Sequence, residues 1–256
     1  MTMTVSQALI FGAVQGITEF FPVSSSGHLA ILQALFGLKE PQIDFDIFLH
    51  LGTLLSILVF FRKSILALFG KDKKTLLYLI TASVPTFIIG FSFKDAVERF
   101  FGMPAVVGYM FIVTGIWLTL ASVFVKKPGP RKEPGVLNSL AIGIAQGIAV
   151  MPGISRSGAT VATGLFAGLE KEAAFRFSFL LAIPAVAGAT ILKTHKIGGG
   201  IIGKDSVSYI LGGLVAAAVG LWAIKAFFGI VKKNKLYLFG IYCFLVGIAS
   251  VIFFRG

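Results

Sequence analysis

The sequence predicts an all-α integral membrane protein with six transmembrane helices and two re-entrant helix hairpins, arranged as an inverted-topology repeat. Three observations carry this expectation. The chain of 256 residues is 56% hydrophobic and only 13% charged, with a mean hydropathy of +0.92, too apolar for a soluble domain of that length. Six apolar runs each approach the roughly 20 residues that a bilayer-spanning helix needs. Two further apolar segments, 5–37 and 136–168, are each broken by Pro, Gly and Ser, and they resemble one another.

The first broken segment, 5–37, is interrupted by "FFPVSSSG" and leaves two pieces too short to span. It reads as a hairpin that enters the membrane and returns to the same side. Spans follow at 43–61, 75–92 and 104–125. The second hairpin, 136–168, is interrupted by "MPGISRSG", and spans follow at 175–192, 208–225 and 237–254. Residues 1–256 then form a single membrane domain, with repeat one over about 1–125 and repeat two over about 136–256.

Aligned without gaps at an offset of 131, Gln15-Gly16-Ile17 falls on Gln146-Gly147-Ile148, and Ser24, Ser26 and Gly27 fall on Ser155, Ser157 and Gly158. Three spans lie between the copies, and an odd number turns the second copy upside down. Irregular backbone at membrane depth is tolerated where protein buries it or where it lines a water-filled cavity, so the paired breaks point to a polar site.

The net charge of +12 lies mostly in short loop clusters, which suits anionic headgroups rather than nucleic acid. Arg62, Lys63, Lys71, Lys73 and Lys74 in loop 62–74, and Lys126, Lys127, Arg131 and Lys132 in loop 126–135, place both loops in the cytoplasm. Loop 226–236, with Lys232, Lys233 and Lys235, joins them. Loop 93–103, where Lys94 and Arg99 are balanced by Asp95 and Glu98, lies outside. Loop 193–207 is also expected outside, despite Lys193, Lys196 and Lys204. Both termini then face outward. The N-terminus lacks the pattern of a cleaved signal peptide, and the lone Cys243 reads as a packing residue.

The chemistry concentrates in the hairpins. Glu19 is a carboxylate at membrane depth, expected to act as a general base or metal ligand. Gln15 lies one helical turn earlier on the same face. His28 follows Ser24, Ser25 and Ser26, whose hydroxyls cap a helix, bind an anion or attack an electrophile assisted by His28. In the second copy Val150 and Ala159 replace Glu19 and His28, and Arg156 replaces Ser25. "PGISRSGAT" puts Gly153, Ser155, Arg156, Ser157 and Thr160 around a helix start, where free N–H groups and a guanidinium fork suit phosphate. His50 is a candidate for lining the cavity, and His195 reads as a loop residue. Glu170, Lys171, Glu172 and Arg176 read as a solvated, partly paired cytoplasmic edge.

"QGITEFFPVSSSGHL" and "PGISRSGAT" resemble the two signature motifs of the undecaprenyl pyrophosphate phosphatase family of the bacitracin-resistance type, and the similarity covers essentially the whole chain. The resemblance implies hydrolysis of a C55 isoprenyl diphosphate to the monophosphate carrier lipid of cell-wall synthesis. It implies a bacterial inner-membrane enzyme whose site opens to the outer, periplasmic face, with Glu19, His28, Ser25 and Arg156 catalytic and either water or Ser25 as the nucleophile. Gln15, Ser24, Ser26, Gly153, Ser155, Ser157 and Thr160 would hold substrate. A divalent cation, Mg²⁺ or Ca²⁺, is implied with Glu19 as ligand. Gln15 stands where the family often has Glu, which weighs against a two-carboxylate metal site. The expected partners are the polyprenyl diphosphate and membrane lipids, with a homodimer as an allowed assembly. The alternative is an inverted-repeat transporter or flippase of an anionic or polyprenyl phosphate substrate.

Overall fold

The computed structural model describes residues 3–38, 42–125, 129–197, 206–233 and 235–254. Among these residues there are twelve helices. The first half holds α1 (Val5–Thr18), α2 (Ser25–Leu35), α3 (Ile43–Phe60), α4 (Arg62–Leu68), α5 (Lys73–Ser92), α6 (Lys94–Phe101) and α7 (Pro104–Phe124). The second holds α8 (Gly135–Ile148), α9 (Arg156–Phe166), α10 (Lys171–Ile197), α11 (Ser206–Lys232) and α12 (Leu236–Phe254).

Five of these, α5, α7, α10, α11 and α12, are long and apolar enough to cross a bilayer. α3 and α4 are a pair bent by 75° at Phe61, which lays α4 across the end of α3 and brings the count to six where the pair is taken as one span. Five of the six expected spans appear as single helices, α11 running on to Lys232 through most of the expected loop 226–236, and the protein is a multi-pass membrane protein. Large apolar side chains such as Leu66, Ile252 and Phe253 stand exposed on its outside, where lipid replaces water as solvent.

The two broken segments are helix–break–helix units. Thr4 caps α1 through a reciprocal box: its Oγ1 accepts from Gln7 N at 3.2 Å, while Thr4 N donates to Gln7 Oε1 at 3.0 Å. α1 stops before Pro22, and the chain restarts at Ser24, whose Oγ accepts from Gly27 N. The second unit repeats the device: α8 stops before Pro152, and Ser155 Oγ accepts from Gly158 N at 3.0 Å. Gly153, between them, has φ +97° and sits against Val107 O and Met110. A side chain there meets both a strained backbone and a filled space.

The two units pack onto helices of the opposite half. α1 lies on α11, and α8 lies on α5. α7 and α12 run together, with the Gly108 and Gly247 backbones in contact. Ser56 Oγ donates to Ala217 O at 2.7 Å, and Thr86 Oγ1 donates to Gly143 O at 2.9 Å, tying α3 to α11 and α5 to α8. Such interhelical bonds contribute about 0.6 kcal/mol each within a bilayer. Phe20, Phe61, Phe175, Phe179 and Phe227 form an aromatic core beneath the breaks.

The charged edge forms as expected. Arg176 pairs with Asp72 at 3.9 Å, Lys232 with Glu172 at 4.0 Å, and Lys171 Nζ donates to Lys232 O at 3.0 Å. Glu170 N donates to Arg131 O at 2.9 Å. Loop residues near 72, 131 and 232 therefore gather at one end of the molecule. α5 spans about 30 Å from there, so α6 sits at the other end. The segments expected as plain loops 62–74 and 93–103 contain α4 and α6. α10 continues to Ile197, so Lys193, His195 and Lys196 lie on a helix rather than in a loop. Lys126, Lys127 and Lys204 lie outside the described residues.

Candidate functional site

The breaks of the two helix–break–helix units meet tip to tip. Gly153 N donates to Ser24 Oγ at 3.0 Å, and Ser157 Oγ donates to Phe21 O at 3.2 Å. Beside this junction lies a chamber of about 400 Å³. Glu19, Ser24, Ser25, Ser26, Ser155 and Arg156 form its polar end. Its walls come from α5 and α10, just beyond Pro85 and Pro184, and its mouth reaches Lys94 and Glu98 on α6. Its lining therefore reaches the end of the molecule opposite the basic loops.

Glu19 organises the polar end. It is the residue after α1, and only 8% of it is exposed. Gln15, one turn back, donates from Nε2 to Glu19 Oε2 at 3.1 Å. Ser25 Oγ donates to the same oxygen at 2.6 Å. Arg156 donates through Nη2 to Oε1. His50 on α3 brings Nε2 to 3.9 Å from Oε2, while its Nδ1–H donates to Asp46 O at 2.7 Å. The guanidinium and three polar neighbours offset the desolvation of a carboxylate at this depth.

Arg156 has further capacity. Its Cζ lies 6.0 Å above the Phe179 ring, and its buried Nη1 has no protein partner. An orphaned charged donor beside a chamber suits a phosphate oxygen. The N-termini of α2 and α9 also meet here, and helix N-termini favour anions. Gln15 Oε1 is likewise buried and unpartnered.

Among the described residues, no group of three or more His, Cys, Asp or Glu is placed to hold a metal ion. The donors fit a cation only in company with substrate: one carboxylate, Glu19, and the orphaned Gln15 Oε1.

The structure thus brings Glu19, Ser25, Arg156 and Gln15 together, with Ser24, Ser26 and Ser155 along the chamber wall. It does not bring His28 to Glu19. The His28 ring turns to α12, where Nε2 lies 2.7 Å from the Tyr242 hydroxyl. His50 occupies the position beside the carboxylate instead. Ser157 and Thr160 spend their hydroxyls within the protein: Ser157 Oγ on Phe21 O, while Thr160 Oγ1 donates to Arg156 O on its own helix at 2.8 Å and lies 2.5 Å from Ser178 Oγ on α10. Gly153 shapes the turn from behind, and its carbonyl accepts from Thr114 Oγ1 at 2.9 Å. The sequence reading missed Phe179 beneath Arg156, Thr114 behind the second break, and Lys94 and Glu98 at the mouth.

Phe87 lines both the chamber and an apolar cavity of about 470 Å³ bounded by Ile65, Leu68, Leu79, Ile80, Leu180 and Ile183. The ring stands over Gly188, where an added methyl group would come 2.6 Å from Phe87 Cε1.

The family whose model is described as bacitracin resistance protein BacA matches residues 8–249. The chain is 43% identical to an undecaprenyl-diphosphatase of Desulforapulum autotrophicum, covering 98% of each chain. It is 43% identical to one of Carboxydothermus hydrogenoformans over 96% of each, and 39% identical to one of Halothermothrix orenii over 98% of each.

Proposed function

Given that this chain belongs to the BacA family of undecaprenyl-diphosphatases, we propose how its chamber performs that reaction. The protein hydrolyses undecaprenyl diphosphate to undecaprenyl phosphate and phosphate. The observation that carries the mechanism is Ser25 Oγ, held 2.6 Å from the Glu19 carboxylate beside a guanidinium with a free N–H.

The terminal phosphate binds Arg156 Nη1 and the N-terminal ends of α2 and α9. Ser25 Oγ attacks its phosphorus as the proton passes to Glu19. The bond to the bridging oxygen breaks, and the lipid monophosphate leaves with that electron pair. Arg156 offsets the charge that gathers on the transferring group. Glu19 passes its proton on, with His50 the neighbour placed to take it. The carboxylate then accepts a proton from the water that cleaves the phosphoserine and returns it to the leaving Ser25 Oγ, which restores the hydroxyl. Ser24 suits a nucleophile less, because its Oγ already accepts from Gly27 N and Gly153 N. Glu19 and Gln15 Oε1 are the residues that would hold a Mg²⁺ or Ca²⁺ ion. Such an ion, when bound, supplies charge neutralisation of the diphosphate.

The lipid tail leaves past Phe87 between α5 and α10, a reading supported by the apolar cavity that Phe87 shares with the chamber. An outward-facing site is supported by the mouth at α6, opposite the basic loops. The inverted repeat is supported by equal spacing. Caps at Ser24 and Ser155, and hydroxyl pairs Ser24–Ser26 and Ser155–Ser157 at 3.3 Å each, recur 131 residues apart, and each unit packs on the opposite half.

The test is phosphate release from purified protein and a C55 diphosphate, with and without chelator. Ser25→Ala and Glu19→Gln should each lose about a thousandfold or more in turnover. A trapped phosphoenzyme should map to Ser25. Undiminished turnover in Ser25→Ala would return the nucleophile to water. Translocation is the second reading, favoured by the exchanged packing of the two units; lipid crossing a proteoliposome bilayer without hydrolysis would support it.

A further inference from the structure

His28 and Tyr242 lie outside the reaction just described, yet both nitrogens of the His28 ring are engaged. Nδ1 is 2.8 Å from Ser24 O, and Nε2 is 2.7 Å from the Tyr242 hydroxyl. A carbonyl oxygen only accepts, so Nδ1 carries the hydrogen. Nε2 of the neutral ring then accepts from the phenol. The imidazole stacks on Tyr242 with 7° between the planes and meets Phe111 edge-on, with centroids 5.1 Å apart. The ring is held on three sides and does not line the chamber.

What it holds is the strained residue of the site. Ser24 is the non-glycine with positive φ among the described residues, at φ +64° and ψ +94°. Such a backbone persists where its surroundings over-determine it. Its Oγ accepts from Gly27 N and from Gly153 N across the junction. Its carbonyl accepts from His28 N at 3.2 Å and from the His28 ring. The far side of that same peptide unit is the Ser25 nitrogen. Holding the Ser24 carbonyl therefore fixes where the Ser25 side chain leaves the backbone.

We infer that His28 and Tyr242 are positioning residues: Tyr242 sets the tautomer and orientation of His28, whose Nδ1–H locks the Ser24 turn and so aims Ser25 at Glu19. His28 exchanges no proton with substrate. The inference rests on the reading of Ser25 as the group that Glu19 activates.

The experiment uses the fact that Asn offers a donor near the position of Nδ1, whereas Gln reaches toward that of Nε2. The purified full chain in detergent is assayed with a C55 diphosphate for kcat, KM and the pH profile of kcat/KM. A reacting atom displaced by about 1 Å costs about a hundredfold in rate. His28→Gln should therefore lose about a hundredfold in kcat with KM within about twofold of native. His28→Asn should recover at least about tenfold of that loss and keep the native limbs of the pH profile. Tyr242→Phe, which leaves the ring stack, should lose about three- to tenfold in kcat alone.

Equal loss in His28→Asn and His28→Gln would overturn the inference, as would disappearance of one pH limb in His28→Asn. Either result would make His28 a proton-transfer group. Native kcat in Tyr242→Phe would remove Tyr242 from the assignment. Failure of the underlying reading shows elsewhere, as turnover retained in Ser25→Ala, so the two are told apart.

Discussion

Replacing Arg156 by Lys keeps the charge and removes the fork, which isolates what the geometry of the guanidinium contributes. In the native protein Nη2 serves Glu19 Oε1, while Nη1 is buried without a partner. One ammonium nitrogen cannot stand in both places. Loss of a preorganised donor to the developing charge costs about 2.7–4 kcal/mol. At about 1.36 kcal/mol per tenfold, that is a fall of roughly 10²–10³ in kcat/KM. The Glu19 carboxylate keeps a counter-charge, so thermal unfolding in detergent should move little.

Arg156→Ala differs. It leaves a carboxylate that is 8% exposed without compensation, a loss of about 3–5 kcal/mol in stability on top of the rate effect. Phosphate release and thermal unfolding, measured on the same preparations, separate the two outcomes. Retention of kcat/KM within about threefold by Arg156→Lys would refute the argument, and so would a native unfolding temperature for Arg156→Ala.

Thr160→Val should act on stability rather than substrate. It leaves Ser178 Oγ buried without its 2.5 Å partner, a loss of about 1–3 kcal/mol with KM unchanged. A tenfold rise in KM would instead put Thr160 in the binding site. Phe87→Ala should raise KM for a C55 diphosphate by about tenfold, the scale of one lost apolar side-chain contact, and raise it less for a C15 diphosphate. An equal change for both chain lengths would place the tail elsewhere.

The spans were legible because a run of about 20 apolar residues has few alternatives in a membrane. α4 and α6 were not, because 7- and 8-residue helices fall below the window in which hydropathy speaks. The breaks at Pro22 and Pro152 announced themselves through residues that end helices. Glu19 with Gln15 followed from spacing of four on one helix face, and the 3.1 Å contact bears that out. Spacing could not give the direction of a ring. His28, nine positions from Glu19, turns away, while His50, thirty-one positions away, arrives beside the carboxylate because α3 packs against α1. Phe179 carried no signal at all, since a Phe within an apolar run looks like any lipid-facing residue until Arg156 is found above it.

The bond from Gly153 N to Ser24 Oγ joins residues made 129 positions apart. During synthesis α2 is complete long before α9 leaves the ribosome, so the Ser24 turn must wait, without its partner, for the second unit to enter the membrane. Hydrolytic competence is thus gated by biogenesis: a half-inserted chain carries the serine and the carboxylate but lacks the arginine. A chain cut within the segment that links α7 to α8 should regain activity when its two pieces are produced together, and neither piece should act alone.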